Sequence, residues 1–332
     1  MLLKSSMNSI RKMDESFWSG KKILITGGYG FLGSRVVSIL SRSKKIRQLI
    51  LFSRKDFDLR KEDEVSRLFE TNKDIDIVIH LAGDVGGIGY NRAFPGEVFY
   101  NNLIMNTLVM EYSRKFGVKK FVGIGTVCSY PKFASVPFKE ECLWDGYPEE
   151  TNAPYGLAKK MMLIQGQAYR QQFGFNAIHL LMINLYGPRD DFDPESSHVI
   201  AGMIRKFYEA QVENLEEIIL WGTGEASREF LYVEDAAEAI VLATEKYNKP
   251  EPINIGAGFE IKIKDLAKLI AKLTGFKGKI LWDTSKPDGQ PRRCLDVSKA
   301  EKEFGFKAKT SFEEGLKKTI DWFSRHYKEI NR

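Results

Sequence analysis

Five short apolar runs, each followed by a longer stretch with helical spacing, constrain this chain more than any other feature. The runs are KILITGG (22–28), RQLILFS (47–53), DIVIHLAG (76–83), KKFVGIGT (119–126) and NAIHLLMINLYG (176–187). Between them, amphipathic segments occupy 31–42, 61–70, 95–116 and 155–173. A strand that is apolar along its whole length is buried on both faces, as parallel strands joined by covering helices are. The order therefore predicts a doubly wound α/β fold, whose ligands bind beyond the carboxyl ends of the strands. Chemistry is expected on the residues just after each run.

The second half is less regular. Strand-like EEIILWG (216–222) and EPINIG (251–256) mix with helical patterns near 233–247, 263–275 and 311–329. No internal repeat or low-complexity linker separates the halves. The expected division is an N-terminal extension over 1–20, a Rossmann domain over 21–187 plus about 230–256, and a smaller C-terminal α/β substrate lobe over 188–229 plus about 257–332.

The first run passes straight into a helix, in ILITGGYGFLGSRVV. Gly28, Gly30 and Gly33 satisfy G-x-G-x-x-G, and Gly27, Gly30 and Gly33 satisfy T-G-x-x-G-x-x-G. Glycine permits a tight turn and close approach of the backbone to a pyrophosphate. Phe31 and Leu32 then open a helix whose free N–H groups face an anion. A glycine pattern alone can also be a structural turn, but here it follows the first strand of a βαβ unit. The second strand ends in LFSRKDFDL, with Arg54 where a cofactor lacking a 2′-phosphate is usually met by an acid. A guanidinium suits a 2′-phosphate, so NADP(H) is expected; a plain surface cation is the alternative. Asp58 and Leu59 after that strand, and Leu81, Ala82 and Gly83 after the third, complete the expected cofactor wall.

Charge and cysteine content narrow the partners. The formal net charge of +6 is spread along the chain, and its densest basic runs, RSKKIR and KAEKEFGFKAK, are punctuated by apolar or acidic residues. They read as solvated faces rather than a nucleic-acid footprint. The three cysteines, Cys128, Cys142 and Cys294, form no CxxC pair and suit a reducing, cytoplasmic setting. Four histidines without ligand spacing predict no metal, and no apolar run reaches the roughly 18 residues of a membrane helix. The start MLLKSSMNSIRKMDESFWSG does not read as a signal peptide.

Tyr155 and Lys159, in NAPYGLAKKMM, lie four apart and so share a helix face, in a helix that Pro154 helps to start. The spacing alone is weak evidence; its position after the fourth strand and that strand's hydroxyl-bearing tip, GIGTVCSYPK, is stronger. A lysine ammonium one turn away is expected to favour the phenolate and lower the phenol's pKa. Thr126 can hydrogen-bond the reacting oxygen. Together the three suit proton transfer at a ketone or alcohol while a nicotinamide moves a hydride. Cys128, two residues beyond Thr126, points the same way if the chain stays extended. His198 is a lone histidine in SSHVI beside an aspartate-rich loop. A thiol and an imidazole both titrate within reach of neutrality. On residue type and spacing alone, the structural reading of each carries more weight.

The glycine loop, the Tyr-x-x-x-Lys pair and the strand-end hydroxyl together resemble the extended short-chain dehydrogenase/reductase family. Within it the chain is similar to the GDP-L-fucose synthase branch. The segments that carry the likeness are HLAGDVGGIGYN, GTVCSYPK, NAPYGLAKK, NLYGPRDDFDPESSHVI, WGTGEASREFLYVED and KPDGQPRRCLDVSKAEKEFGF. The resemblance implies an NADPH-dependent 3,5-epimerase/4-reductase acting on GDP-4-keto-6-deoxy-mannose or a close relative. It implies that Cys128 and His198 exchange the proton beside the ketone, with Thr126, Tyr155 and Lys159 at the ketone itself. It places Asn184 and Leu185 near the nicotinamide and sugar, His198 beside the cofactor as well, and Val85, Lys206, Trp221 and Arg228 on the GDP-sugar. Asn102 is expected to support Lys159 through a polar network. Helices 95–116 and 155–173, with Phe99, Leu103, Leu108, Met162 and Leu163, are expected to form a homodimer interface. The branch usually has serines where this chain has Thr126 and Val127. An isomerase that keeps its NAD(P), of the GDP-mannose 3,5-epimerase or 4-epimerase kind, and a non-catalytic dinucleotide sensor are the alternative readings.

Overall fold

The computed structural model describes residues 13–286 and 288–331. In chain order, a helical turn α1 (Glu15–Trp18) leads into β1 (Lys22–Thr26), α2 (Phe31–Leu40), β2 (Gln48–Ile50), α3 (Glu62–Thr71) and β3 (Ile77–His80). There follow α4 (Ile88–Ala93), α5 (Pro95–Lys115), β4 (Lys120–Thr126), α6 (Ala153–Phe173), β5 (Ala177–Met182) and β6 (Asn184–Tyr186). Next come α7 (Val199–Val212), β7 (Glu217–Trp221), β8 (Ser227–Arg228), β9 (Phe230–Tyr232), α8 (Val233–Lys246) and β10 (Ile253–Ile255). The chain ends with β11 (Ile261–Lys262), α9 (Ile263–Thr274), β12 (Lys279–Asp283), β13 (Arg292–Arg293), α10 (Ser298–Phe304) and α11 (Phe312–Ile330).

Six parallel strands form the main sheet in the order β2-β1-β3-β4-β5-β10. The pleat sends alternate side chains to opposite faces. Ile23, Ile25, Ile77, Ile79, Val122 and Ile124 join one core with α2 and α8 residues. Leu24, Val78 and Phe121 join another with residues of α3 and α5. Both faces are therefore covered, which is why the strands carry so few polar residues. The order reverses between β1 and β3, so the loops after these strands diverge and leave a crevice at the switch point.

Proline and glycine frame the catalytic-side helices. Pro95 and Pro154 stand in the first turns of α5 and α6, and Gly174 closes α6 in the left-handed region (φ 67°). Lys120, buried at the start of β4, points its ammonium at Thr244 O, Tyr247 O and Asn248 Oδ1 and so caps the end of α8.

Several expected boundaries move. Residues 1–12 of the expected extension lie outside the described residues. Trp18 is fully buried, and its Nε1 donates to Glu245 Oε1 at 2.6 Å, so residues 14–18 dock onto α8. The run 176–187 is two strands: β5 stays in the main sheet, whereas β6 leaves it to pair with β9. Strand β7 pairs with β12 away from the main sheet, and β8 lies between β11 and β13. Tyr186, Phe230 and Tyr232 belong to the second lobe's core with α7, α9 and α11. Conversely Leu295, Ala300, Phe304 and Phe306, assigned above to the substrate lobe, sit in the main core, because α10 packs against β10 and α8. The 95–116 and 155–173 helices pack on each other, and Leu108, Met162 and Leu163 are buried within the chain.

A buried hydrogen-bond chain ties the sheet to these helices. Thr26 Oγ1 accepts from the N–H groups of Leu81 and Ala82 (3.1 Å each) and lies 2.8 Å from His80 Nδ1. His80 Nε2 lies 3.0 Å from Asn106 Oδ1, and Asn106 Nδ2 donates to Ala158 O of α6. Replacing Thr26 by Val orphans His80 Nδ1 and the Ala82 N–H, at about 1–3 kcal/mol for each buried group. Urea unfolding should show Thr26→Val destabilised by at least about 2 kcal/mol and Thr26→Ser by much less. Equal midpoints for the two variants would remove the hydroxyl from this account.

Candidate active site

A cleft of about 1190 Å³ opens beyond the carboxyl ends of β1–β6. One wall is the glycine loop. Gly27 has φ +66°, and a Cβ there would stand 2.9 Å from Ala82 N, so only glycine lets the β1 and β3 loops approach this closely. A Cβ at Gly33 would come 2.0 Å from Gly27 O. No side chain caps the α2 N-terminus, which leaves its first N–H groups for an anion. Phe31, Leu32, Leu81, Ala82, Gly83 and Leu185 line the same stretch. These features fit a dinucleotide pyrophosphate.

The far end of this wall carries Arg54, Asp58, Leu59 and Arg60. Asp58 is not free: Arg60 Nε and Nη2 donate to its two oxygens at 2.9 and 2.5 Å, and Arg54 Nε lies 3.6 Å away. The Arg60 hydrogen bond holds the Asp58 carboxyl far below the usual range. The chain thus presents two guanidiniums here, of which sequence reasoning found one. Arg60 lies outside the strand-end window in which such a residue is sought.

The opposite wall is built by β4 and α6. Strand β4 ends at Thr126, and Val127–Ser129 turn as one 3₁₀ unit, so the chain is not extended from Thr126 to Cys128 as expected. The turn forms because Thr126 Oγ1 accepts from Cys128 N at 3.2 Å, and Thr126 and Cys128 both still face the cleft. Helix α6 touches this turn backbone to backbone. A Cβ at Gly156 would lie 2.2 Å from Cys128 O, and Ser129 Oγ donates to Gly156 O at 2.8 Å. The glycine after Tyr155 therefore brings the phenol to Thr126 and Cys128. Val127 is almost wholly buried yet still lines the cleft.

The electrostatics differ from the simple expectation. Burial pushes the Tyr155 phenol well above its ordinary pKa, the nearby Cys128 adds to this, and only the Thr126 hydroxyl opposes it. Lys159 is also buried, which draws its ammonium down to about 8. Lys159 therefore does not lower the phenol's pKa in this structure; desolvation outweighs it. Asn102 does not bond to Lys159 either. It grips Asp84, accepting from Asp84 N and donating to Asp84 O, and so fixes the Gly83–Asp84 loop against which Lys159 Nζ rests.

The remaining wall comes from outside the main sheet. His198 is the N-cap residue of α7, a helix the sequence reading missed, and it faces the cleft. Its surroundings push its pKa down through desolvation, opposed by Asp191. Gly87 N donates to Ser196 O at 2.9 Å, so the Val85 loop and the His198 loop are joined. Asn184 lines the cleft and donates to Glu229 O; Trp221 is 61% exposed on its rim. Lys206 and Arg228 do not line it: Lys206 Nζ donates to Ile219 O, and Arg228 to Ser227 O and Asp288 O. In their place stands Arg293, which the sequence reading did not single out, with Nη1 3.6 Å from Cys128 Sγ.

Comparison with known proteins agrees with this geometry. Residues 23–256 match the model of the NAD dependent epimerase/dehydratase family. A GDP-L-fucose synthase of Sinorhizobium fredii is 42% identical over 304 residues, covering 92% of this chain and 96% of that protein. A GDP-L-fucose synthetase from Naegleria fowleri bound to NADP superposes with TM-score 0.85 at 30% identity, covering 95% of this chain and 97% of that one. A GDP-6-OMe-4-keto-L-xylo-heptose reductase from C. jejuni superposes with TM-score 0.86 at 28% identity, covering 92% and 98%. With its glycine cradle, its Tyr155–Lys159 helix and a family match over most of its length, the chain belongs to the NAD dependent epimerase/dehydratase family.

Proposed function

We propose that the protein is an NADPH-dependent epimerase/reductase that converts a GDP-4-keto-6-deoxy-hexose into GDP-L-fucose or a close relative. The observation that carries this reading is the meeting of Cys128 with Thr126 and Tyr155 in one cleft with the dinucleotide cradle. Relatives named GDP-L-fucose synthase, matched over nearly their whole length, support the substrate class.

The cradle of Gly27, Gly30 and Gly33, with the α2 N-terminus, holds the pyrophosphate, and Arg54 and Arg60 flank the 2′-phosphate end. When bound, NADPH supplies the hydride for the ketone carbon. Tyr155 gives its proton to the ketone oxygen, with Thr126 hydrogen-bonded to that oxygen. A phenol with a raised pKa is reliably protonated at neutral pH, so it suits the donor role in reduction. Lys159, one helical turn away and lining the same cleft, holds the cofactor beside the phenol. Cys128 and His198 exchange the proton on carbons beside the ketone. Trp221 offers an aromatic face to the base, and Arg228 and Lys206 add positive charge behind the diphosphate. The three cysteines are free thiols, which suits the cytoplasm. Among the described residues no helix is long and apolar enough to cross a membrane. Phe99, Tyr100, Met161 and Ile164 leave an exposed apolar face on the α5–α6 pair, where a second copy would dock to form a homodimer.

Four measurements check this. First, stoichiometric NADPH consumption with GDP-4-keto-6-deoxy-mannose is expected; turnover without consumption would make the protein an isomerase that retains its cofactor. Second, NADPH should bind more tightly than NADH, and Arg54→Ala should reduce the preference by about tenfold, the equivalent of one charge-assisted contact; an unchanged ratio of dissociation constants would move the phosphate elsewhere. Third, Tyr155→Phe should slow reduction by about 10²-fold or more while some solvent deuterium still enters the keto sugar. Cys128→Ser should do the reverse, and a doubly inverted product formed at the wild-type rate would make Cys128 structural. Fourth, light scattering at micromolar concentration should give the mass of a dimer, and a monomer mass would leave the α5–α6 face unpaired.

A further inference from the structure

Arg293 belongs to the PRRCLD segment, to which the reading above gives no role. It sits on β13, paired across from Arg228 on β8, and is only 7% exposed. Its Nε donates to Gln290 Oε1 at 3.2 Å, and Gln290, also buried, donates to Lys132 O at 2.9 Å. The guanidinium is thus held in place with Nη1 directed at Cys128 Sγ, 3.6 Å away. Among the described residues no carboxylate forms a salt bridge to Arg293, so a buried cation faces a thiol rather than an acid.

We propose that Arg293 is the positioning residue for epimerisation: it aims the Cys128 sulfur and stabilises the negative charge that sulfur carries on one side of each proton transfer. This rests on the assignment of Cys128 as an epimerisation acid/base. When the thiol acts as acid, the S–H bond breaks, the electron pair of the enolate carbon forms a C–H bond, the ketone re-forms and the sulfur is left anionic. When the thiolate acts as base, the carbon's proton joins the sulfur and the C–H pair becomes the enolate. In both directions one state has a charged sulfur. Arg293 is the group that donates to that sulfur; the others near it are Tyr155 and Thr126 from the α6 and β4 side and Arg228, whose own guanidinium is held by Ser227 O and Asp288 O. The Arg293 guanidinium, held 3.6 Å from the sulfur, is placed to meet a negative charge that forms there. Hydride transfer at the ketone passes no proton through sulfur, so it draws on Arg293 far less.

The test uses full-length enzyme with NADP bound. Deuterium exchange into GDP-4-keto-6-deoxy-mannose in heavy water is followed across pH for wild type, Arg293→Met and Arg293→Lys. Oxidation of GDP-L-fucose by NADP is the companion reaction. Arg293→Met should lower exchange at neutral pH at least about tenfold, and the acid limb of its pH profile should move up by about one unit or more. Oxidation should fall less, with its own pH profile in place. Arg293→Lys should recover part of the exchange and part of the limb shift. An equal loss of both reactions with unmoved pH limbs would overturn the proposal, since that is the result of a binding or packing role alone. If Arg293→Met no longer binds NADPH, Arg293→Lys decides by the same two criteria. Cys128→Ser separates the levels: if it still epimerises, the reading of Cys128 fails, whereas if it does not and Arg293→Met exchanges normally, only the role of Arg293 fails.

Discussion

The hydrogen-bond chain from Thr26 through His80 and Asn106 to Ala158 is the constraint on which the site's geometry depends. Its direction can be assigned. Thr26 Oγ1 already accepts two backbone N–H groups, so its own proton goes to His80 Nδ1. His80 is then a donor at Nε2 to Asn106 Oδ1, which leaves the Asn106 amide nitrogen to donate to α6. Burial holds His80 neutral by drawing its pKa to about 3, so this polarity does not change near neutral pH. The chain joins the ends of β1 and β3, where the dinucleotide cradle lies, to α5 and to the helix bearing Tyr155 and Lys159. A rotation of α6 would break it, so the distance from cradle to phenol is fixed by buried polar contacts as well as by apolar packing.

Two close approaches complete the arrangement, and both depend on a missing side chain. Gly27 lets the β1 and β3 loops meet, and Gly156 lets α6 rest on the turn after β4. The second contact brings Tyr155, Thr126 and Cys128 together at the cost of water. Desolvation then sets the titration behaviour: the phenol rises and the ammonium of Lys159 falls toward neutrality. Each group is shifted toward its uncharged form, as expected where burial outweighs pairing.

Much of this was legible in the sequence. Apolar runs located β1, β3, β4 and β5 to within a few residues, because a strand buried on both faces has no room for polar positions. The glycine loop and the Tyr155–Lys159 helix were legible because local spacing determines them. Contacts set by long-range pairing were not. Arg293 and Cys128 are 165 positions apart and meet only because β13 pairs with β8. Asp58 was expected in the cofactor wall, but its pairing with Arg60 was not legible in the sequence. Helix α7 was missed between a loop of aspartates and a strand, and His198 therefore appeared as a lone histidine rather than an N-cap. The sign of the Tyr155 shift was misjudged because sequence displays a neighbouring charge but not the depth of burial.

The division of the site between its two cores has an evolutionary meaning. Thr126, Tyr155 and Lys159 all belong to one strand and one helix of the main sheet. His198 and Arg293 are brought in by a helix start and a two-residue strand on the other lobe. If the inversion and reduction roles are as proposed, losing His198 or Arg293 would remove inversion while leaving the ketone-side residues in place. Thr126, Tyr155 and Cys128 meet at the glycine-packed junction of α6 with β4, where a Cβ at Gly156 would collide with Cys128 O. On that reading, a scaffold of this kind is expected to drift toward simple reductases more readily than toward simple epimerases.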